Sequence, residues 1–401
     1  MLDFDTAQAQ LARAANHPIL DETCLLHHAH GRVLAQTLFA TLDLPPADNS
    51  AMDGYAIRYD DYAQGVALPV QQRCFAGEQP AALIPGQATR LFTGSLIPEG
   101  ADTVVMQENV TERDGCIVIN EPPVEGAHVR KRGEDVSRER QILARGTVLG
   151  AGEIALLASQ GYAQVQVYPR LRVGVLTTGD ELVVPGEPRA DHQIYDSNGL
   201  MLAALLHQIG AHVEQVVHAQ DTEESLSSAF ATLLSRCDLV LTIGGVSVGE
   251  KDLVKPVLEH LGGRLDLWKV AMKPGKPVAL AHAQGKPVVC LPGNPVSAFV
   301  VYALLVTPLI RTMQGREQVI PTSEWGVLHT NTHFLEKREE FLRVRLHTND
   351  VGLPSLEPYP QQGSNIISAL PWATGLARVP VNTPVSAGST VQYYSLAHWL
   401  S

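Results

Sequence analysis

The sequence predicts a multi-domain protein with a central doubly wound α/β domain, a β-rich lid domain and a C-terminal β-barrel domain. Three observations lead to this fold class. The chain of 401 residues is too long for one ordinary domain. Strand-like and helix-like segments alternate between about residues 170 and 315. Short strand-like runs separated by Gly and Pro lie before and after that region, which is typical of small sheets and barrels.

The central region begins with the apolar run RVGVLTTGDEL at 172–182, typical of a strand covered on both faces. The next elements are a helix at 197–211, a strand at 211–219, a helix at 221–237, a strand at 238–245 and a helix at 252–263. Ser197 is the predicted N-cap of the first helix, and Asp221 opens the second with Glu224 in capping-box position. This alternation predicts a parallel sheet, in which ligands bind beyond the carboxyl ends of the strands.

The flanking regions have a different pattern. Helices are predicted at 1–16 and 151–160, on either side of a β-rich stretch with a hairpin signal, ERDGC, at 112–116. From about residue 320 the runs EFLRVRLHT (340–348), GLARVPV (375–381) and STVQYYSL (389–396) have the spacing of a small β-barrel.

Composition excludes several classes of protein. The formal net charge of −12 and pI near 5.7 disfavour a nucleic-acid partner. The apolar run AFVVYALLVTPLI (298–310) is too short to cross a bilayer and predicts a buried helix, so no membrane partner is expected. The N-terminus has no signal-peptide pattern, and the cysteines have no metal or disulfide spacing. We therefore expect a cytoplasmic protein with five buried free thiols, Cys24, Cys74, Cys116, Cys237 and Cys290.

The stretch TIGGVSVGEKD (242–252) resembles a phosphate-binding loop in which acids replace the usual lysine and hydroxyl. Gly244 and Gly245 would let backbone amides approach an anion, and Ser247 adds a hydroxyl. Glu250 and Asp252 beside such a turn suit a Mg²⁺ ion bridging to the phosphate. The alternative is that Asp252 is an ordinary helix N-cap.

Cations and further acids lie on other loops. WKVAMKPGKP (268–277) supplies Lys269, Lys273 and Lys276 on a stiff turn suited to a tetrahedral oxyanion, although a solvated surface turn is the alternative. LPGNPVSAFV (291–300) places Asn294 at a helix start, where an ordinary cap is equally compatible. Acids recur in DNSAMDGYA, KRGEDV and TTGDEL, each explicable by turn chemistry alone. Together these loops predict a metal-dependent phosphoanhydride site assembled from two domains.

These motifs, with YDSNG and LPGNPVSA, occur in one order over about residues 40–300, and through them the chain resembles the MoeA and gephyrin E-domain family. The resemblance implies a homodimer of four-domain subunits. The domains would be an elongated domain I at 1–45 with 140–168, β-rich domain II at 46–139, the molybdopterin-binding α/β domain III at 169–318 and barrel domain IV at 319–401.

The resemblance also implies an activity. Molybdate would be inserted into the dithiolene of adenylylated molybdopterin with release of AMP, in a reaction that requires Mg²⁺. Besides molybdopterin-AMP and molybdate, the expected partners are a second copy of the chain, the adenylyltransferase that makes the substrate, and cofactor-delivery proteins.

The resemblance also implies roles for individual residues, assigned by their positions in the shared motifs. The acidic site residues are Asp53, Asp135, Glu181, Asp221 and Asp252, of which Asp221 and Asp252 are the expected metal ligands. The residues expected to bind the cofactor and molybdate are Thr178, Gly244, Gly245, Ser247, Lys269, Lys273, Lys276, Asn294, Ser297, Arg343 and Ser364. Arg345 competes with Arg343 for its role, and Asn365 follows the serine where many relatives have a small residue.

Other functions were weighed against this one. A molybdopterin adenylyltransferase would resemble only residues 170–315, and the flanking regions argue against it. A gephyrin-like scaffold would need a long linker and a fused partner domain, and a deamidase with a similar α/β domain would lack the KPGKP lysines.

Overall fold

The computed structural model describes residues 1–18, 20–245, 253–348 and 352–401. The chain forms two compact units. The first comprises Met1–Gln36, Arg145–Ala151 and Gln164–Ser401, and the second comprises Thr37–Ala144 and Gly152–Ala163. This division does not test the four predicted domains, whose boundaries stay a prediction.

A six-stranded sheet forms the centre of the first unit. Its strand order is His212–Ala219, Arg172–Thr178, Leu239–Ile243, Lys286–Leu291, Ala279–Ala283 and Arg264–Trp268. The first four strands are parallel, as the sequence predicts, but Ala279–Ala283 runs antiparallel to both of its neighbours. The reason is local: Gln284 and Gly285 both have positive φ, 52° and 75°, and close a two-residue hairpin.

Helices cover both faces of this sheet. Ser197–Gln208 and the continuous helix from Pro295 to Met313 pack on one face, and Glu223–Arg236 and Val254–His260 pack on the other. The doubly wound prediction is therefore confirmed. The segment Pro295–Met313 is 94% buried, and its middle turn, Tyr302–Val306, is a π-helix.

Two predicted helix starts differ from the structure. Asp196, not Ser197, is the N-cap of the first helix and accepts from Gly199 N. Thr222, not Asp221, caps the next helix and accepts from Ser225 N, so Glu224 is not in capping-box position. These shifts matter because Asp221 is left in the loop before the helix.

The N-terminal helix, Phe4–Ala12, packs into the same core. Gln8 Nε2 donates to Leu304 O at 2.7 Å, and Thr312 Oγ1 donates to Ala12 O at 2.7 Å. The aromatic rings of Phe4 and Phe341 lie 4.6 Å apart. The first residues of the chain thus join the central helix to the C-terminal sheet.

The C-terminal sheet closes into a five-stranded barrel, which confirms the prediction. Its order is Glu339–His347, Ser355–Pro358, Glu324–Leu328, Thr390–Ser395 and Gly375–Val379, with the last strand paired again to the first. The short strand Met272–Lys273 pairs with Glu339 and Glu340 of this barrel. Two short helices, Ala369–Trp372 and Leu396–Trp399, and the strand pairs Glu22–Leu25 with Gln164–Val167 and Leu182–Val183 with Ile194–Tyr195 complete the unit, with a 3₁₀ turn at Leu26–His28.

The second unit is built on another six-stranded sheet. Its order is Thr103–Met106, Gly54–Ile57, Ala88–Leu91, Leu68–Cys74, Cys116–Ile119 and Val110–Arg113. The predicted hairpin at 112–116 is confirmed, with Asp114 and Gly115 at positive φ. Smaller elements are the pairs Asn49–Ser50 with Val129–Arg130 and Leu38–Phe39 with Gln141–Leu143, the helix Ala151–Ser159, and 3₁₀ turns at Tyr59–Asp61 and Gln107–Asn109.

All five cysteines are free thiols, and all but the half-buried Cys116 are buried, close to the prediction. Burial raises the pKa of Cys237 to about 11 and that of Cys290 to about 12. Thiols with such high pKa values are not nucleophiles at neutral pH. His27, His28 and His30 are exposed.

Candidate active-site cleft

A cleft of about 690 Å³ lies beyond the carboxyl ends of the parallel strands. Thr177, Thr178 and Glu181 line it at the end of the strand Arg172–Thr178. Gly244 follows the strand Leu239–Ile243, and the segment 292–295 follows the strand Lys286–Leu291. Pro277 of the KPGKP loop and Asn365 and Ile367 of the barrel contribute further surface. The structure therefore brings together several of the loops that the sequence predicted to converge.

Glycine forms part of the cleft floor for a steric reason. Gly244 has φ 93°, and a Cβ there would lie 2.6 Å from Thr178 O. Any side chain at this position would collide with the neighbouring strand, so only glycine fits there. Gly245 follows with φ 64°. Ser247, Glu250 and Asp252 fall outside the described residues, while the N-cap of the following helix is Leu253.

An acidic corner, formed by Asp180 and Asp221, lies beside Thr178, although neither acid is among the residues that line the cleft. Thr178 Oγ1 donates a hydrogen bond to Asp221 Oδ1, and Asp221 N donates to Asp180 Oδ1 at 3.2 Å. Glu181 lines the cleft two residues after the turn at Gly179. These carboxylate and hydroxyl oxygens are the donors that Mg²⁺ prefers. Within the described residues no group of three His, Cys, Asp or Glu side chains forms a metal site, and the second expected ligand, Asp252, lies outside them.

The KPGKP lysines differ in their surroundings. Lys273 Nζ donates to Glu336 Oε1 at 2.6 Å and lies 3.0 Å from Glu340 Oε1, whose side chain is 3% exposed. Burial acts to lower the pKa of Lys273, but the hydrogen bonds to both carboxylates outweigh burial and raise it. The ammonium of Lys273 has three N–H donors, and two of them are used in the contacts with Glu336 and Glu340.

Lys276 has a more open position. Its side chain is exposed, and it has no carboxylate partner among the described residues. It lies on the same turn as Gly275, where φ is 111° and a Cβ would lie 2.5 Å from Val301 Cγ2. The adjacent Pro277 lines the cleft. Lys269, at the start of the segment, is half-buried with φ 64°.

Arg343, not Arg345, holds the loop that carries Ser364. The Arg343 side chain is fully buried, and its Nη2 donates to Gln361 O at 3.4 Å and Gly363 O at 3.1 Å. Burial lowers the pKa of Arg343 to about 10. Arg345 instead stacks 4.6 Å from the Trp372 ring centroid and donates to Trp372 O.

The Ser364 loop also meets the helix that begins at Pro295. Val296 N donates to Ser364 O at 3.3 Å. Asn294 is the N-cap of that helix, is exposed, and makes no side-chain capping bond. Ser297, one turn further, is buried. The helix start, Asn294 and the Ser364 loop thus form one side of the cleft.

Asp53 and Asp135 lie in the second compact unit. Asp53 Oδ1 accepts from Thr93 N at 2.8 Å and Thr93 Oγ1 at 2.9 Å, and the backbone hydrogen bond is the main cause of its lowered pKa. Asp135 is exposed, and its backbone N donates to Leu44 O. Thr93 was not among the predicted site residues.

Sequence reasoning also missed several residues that line the cleft. Ile194, Tyr195, Asp196, Asn198 and Ile367 were not predicted. The motif YDSNG (195–199) contained a usable signal, because it spans the start of the helix that follows the strand Arg172–Thr178. Ile367 had none, since it lies on a barrel loop distant in sequence.

Comparison with known proteins agrees with this architecture. Residues 2–161 match the MoeA N-terminal region (domain I and II), residues 174–312 a probable molybdopterin binding domain, and residues 326–396 the MoeA C-terminal region (domain IV). The molybdopterin molybdenumtransferase of Haemophilus influenzae is 38% identical over 404 residues, covering 100% of both chains. That of a Nostoc species is 40% identical over 332 residues, covering 80% of this chain and 76% of the relative.

Solved structures of MoeA proteins are similar to this chain over almost its whole length. A crystal structure of the molybdopterin biosynthesis MoeA protein from Pyrococcus horikoshii has a TM-score of 0.83 at 26% identity, covering 98% of this chain and 100% of that one. A second structure of a MoeA protein from the same species has a TM-score of 0.80 at 30% identity, with 99% coverage of each chain.

Proposed function

Since the chain belongs to the MoeA family of molybdopterin molybdenumtransferases, we propose that its cleft is where molybdate is inserted into adenylylated molybdopterin during molybdenum cofactor biosynthesis. The observation that carries the proposal is the convergence of acidic, glycine-lined and helix-start loops beyond the carboxyl ends of the parallel strands. Open α/β sheets bind their ligands at this position.

The acidic corner is the proposed position of the phosphoanhydride. Thr178 donates to Asp221 and so fixes the orientation of a carboxylate that would hold Mg²⁺ together with Asp252. When bound, Mg²⁺ would neutralise charge on the phosphate oxygens. Gly244 and Glu181 line the cleft beside this corner. AMP is the expected leaving product.

Lys276 is the proposed contact for molybdate. The ion is a tetrahedral dianion, and an ammonium on a rigid turn suits it as a point charge. Lys273, with two carboxylate partners, connects that turn to the barrel. Arg343 holds the Ser364 loop through two carbonyl oxygens, and the helix start at Pro295 offers backbone amides to an anion.

The direct test is a reaction with purified protein, adenylylated molybdopterin, molybdate and Mg²⁺. We expect AMP release that depends on both molybdate and Mg²⁺, together with a product that activates a molybdenum-dependent apoenzyme. If the protein instead transfers adenylyl groups from ATP to molybdopterin, the adenylyltransferase alternative is correct. The cytoplasmic location stays a prediction.

A homodimer with composite sites is part of the proposal. The acids Asp53 and Asp135 belong to the second unit, whereas Asp221 and Lys276 belong to the first. Our hypothesis is that the β-rich lid of one subunit closes over the cleft of its partner. Mixing Asp53→Asn protein with Lys276→Ala protein under subunit exchange should then restore up to about a quarter of wild-type activity, because half of the dimers are mixed and one of their two sites is intact.

The control for this prediction is each variant mixed with itself, which should have little activity when molybdate is well below saturation. Exchange is verified independently with two affinity tags. Inactive mixtures despite proven exchange would show that each subunit builds its own site.

A further inference from the structure

Asp43, in the second unit, binds both ends of the loop that carries Asp135. Its Oδ1 accepts from Arg138 N at 2.8 Å, and its Oδ2 accepts from Arg132 Nε at 2.6 Å. These two donors lie three positions after and three positions before Asp135 in the sequence. The hydrogen bond from Arg138 N is the main cause of the lowered pKa of Asp43, so this carboxylate is ionised at neutral pH. One side chain therefore connects the two ends of the segment 132–138.

Asp48 binds the start of the same loop. Its Oδ1 accepts from Arg132 N at 2.8 Å, and its Oδ2 accepts from Lys131 Nζ at 3.0 Å. The hydrogen bond from Arg132 N is the main cause of the lowered pKa of Asp48. Hydrogen bonds to an ionised carboxylate are stronger than those between neutral groups. Asp43 and Asp48, which we call the carboxylate clamp, thus use all four of their oxygens on this loop.

Main-chain hydrogen bonds add to the clamp. Gly133 N donates to Pro45 O at 3.0 Å, and Asp135 N donates to Leu44 O at 3.0 Å. Gly133 has φ 71°, and a Cβ there would lie 3.3 Å from Asp43 Oδ1. Glycine adopts this left-handed conformation without strain, so the loop can turn close beside the carboxylate.

The carboxylate of Asp135, in contrast, is open. The residue is exposed, and its side chain has no hydrogen-bond or ion-pair partner in the part of the chain that the structure describes. Its backbone is held on both sides, because its N donates to Leu44 O and its O accepts from Arg140 Nη1 at 3.5 Å. A fixed backbone limits the positions that this carboxylate can reach while leaving both of its oxygens available to a ligand.

We propose that Asp43 and Asp48 are positioning residues for the insertion reaction, which hold the loop so that Asp135 presents its carboxylate to the substrate in one orientation. The inference rests on the proposed function, in which Asp135 is one of the acidic site residues. It adds two residues that act through Asp135. Their effect is expected in the maximal rate, because misplacing a catalytic group slows the reaction more than it weakens binding.

The test is a double-mutant cycle with the whole purified protein. AMP release is measured for wild type, Asp48→Ala, Asp135→Asn and the variant with both changes, with protein in excess so that residual rates stay measurable. Asp48→Ala should lower the maximal rate by about tenfold and change both half-saturating substrate concentrations by less than about twofold. In the Asp135→Asn background the same change should cost less than about twofold, because the residue through which Asp48 acts is already altered.

Tryptic cleavage after Lys131 and Arg132 measures the loop without any substrate. Both residues are exposed, so trypsin can reach them once the loop opens locally. Asp48→Ala should speed cleavage at these two positions by about tenfold, while cleavage elsewhere in the chain keeps its wild-type rate. Fragments are identified by mass spectrometry.

Asp60→Ala is the matched control. It removes an exposed carboxylate of the same unit, one that lies 3.7 Å from Arg58 Nη2. It should keep the wild-type maximal rate and the wild-type cleavage pattern.

Every other outcome counts against the inference. Equal losses from Asp48→Ala in both backgrounds would show a purely structural role, and unchanged cleavage would show that main-chain bonds hold the loop by themselves. If Asp135→Asn keeps wild-type AMP release, the inference fails while the proposed function stands. If wild type itself releases no AMP, both fail.

Discussion

Replacing Asp221 by Asn is expected to lower Mg²⁺-dependent AMP release by about a hundredfold or more, because an amide is a much poorer ligand for a hard cation than a carboxylate. The fold should be unaffected. Asn keeps an oxygen that can accept from Thr178 Oγ1, so the local hydrogen bond is retained. We expect the free energy of unfolding to change by less than about 0.5 kcal/mol. AMP release is measured by chromatography over a Mg²⁺ titration.

Asp238→Asn is the matched control. It makes the same chemical change just before the strand Leu239–Ile243, at the opposite end of the strands from the cleft. Asp238 Oδ1 lies 2.9 Å from Arg172 Nη2, so its loss should cost no more than about 1 kcal/mol of stability and leave AMP release intact. Normal AMP release from Asp221→Asn would refute the metal role of Asp221, and Asp252 would then need another carboxylate partner.

Lys276→Ala should raise the molybdate concentration for half-maximal insertion by about ten- to a hundredfold, the usual loss for one hydrogen bond to a charged group. Binding of the pterin nucleotide should change much less. The reason is that Lys276 is exposed on a rigid turn beside the cleft, whereas Lys273 already has two carboxylate partners. Initial rates are measured while molybdate and adenylylated molybdopterin are varied separately.

Lys337→Ala, at another exposed lysine, controls for the change in net charge. It should leave both half-maximal concentrations unchanged. Equal losses for the two substrates in Lys276→Ala would place Lys276 on the pterin phosphate, and no loss for either would make KPGKP an ordinary surface turn.

The local sequence pattern predicted most of the helices and strands, because hydrophobic periodicity and turn residues depend on only a few neighbouring positions. The strands Arg172–Thr178 and Leu239–Ile243 follow directly from apolar β-branched runs. Helix starts were less accurate, since Asp196 and Ser197, or Asp221 and Thr222, are all good capping residues. Which one caps depends on where the preceding loop leaves the sheet.

The antiparallel strand Ala279–Ala283 was missed for a similar reason. Its residues are about as apolar as those of Lys286–Leu291, the parallel strand that follows it. Only the short hairpin between them, with two positive φ angles, reverses the chain. Its residues, Gln284 and Gly285, are not a strong hairpin signal in isolation.

The sequence by itself determined the family, the doubly wound α/β domain, the barrel and the loops that carry the acids and lysines, because each is encoded by residues close in the chain. Only the tertiary structure decided which of these side chains already pair with other residues of the protein. Lys273 pairs with Glu336 and Glu340, and Arg343 binds the Ser364 loop. These partners lie far apart in sequence. Whether a charge is available to a ligand depends on neighbours that long-range packing brings to it, and no local pattern contains that information.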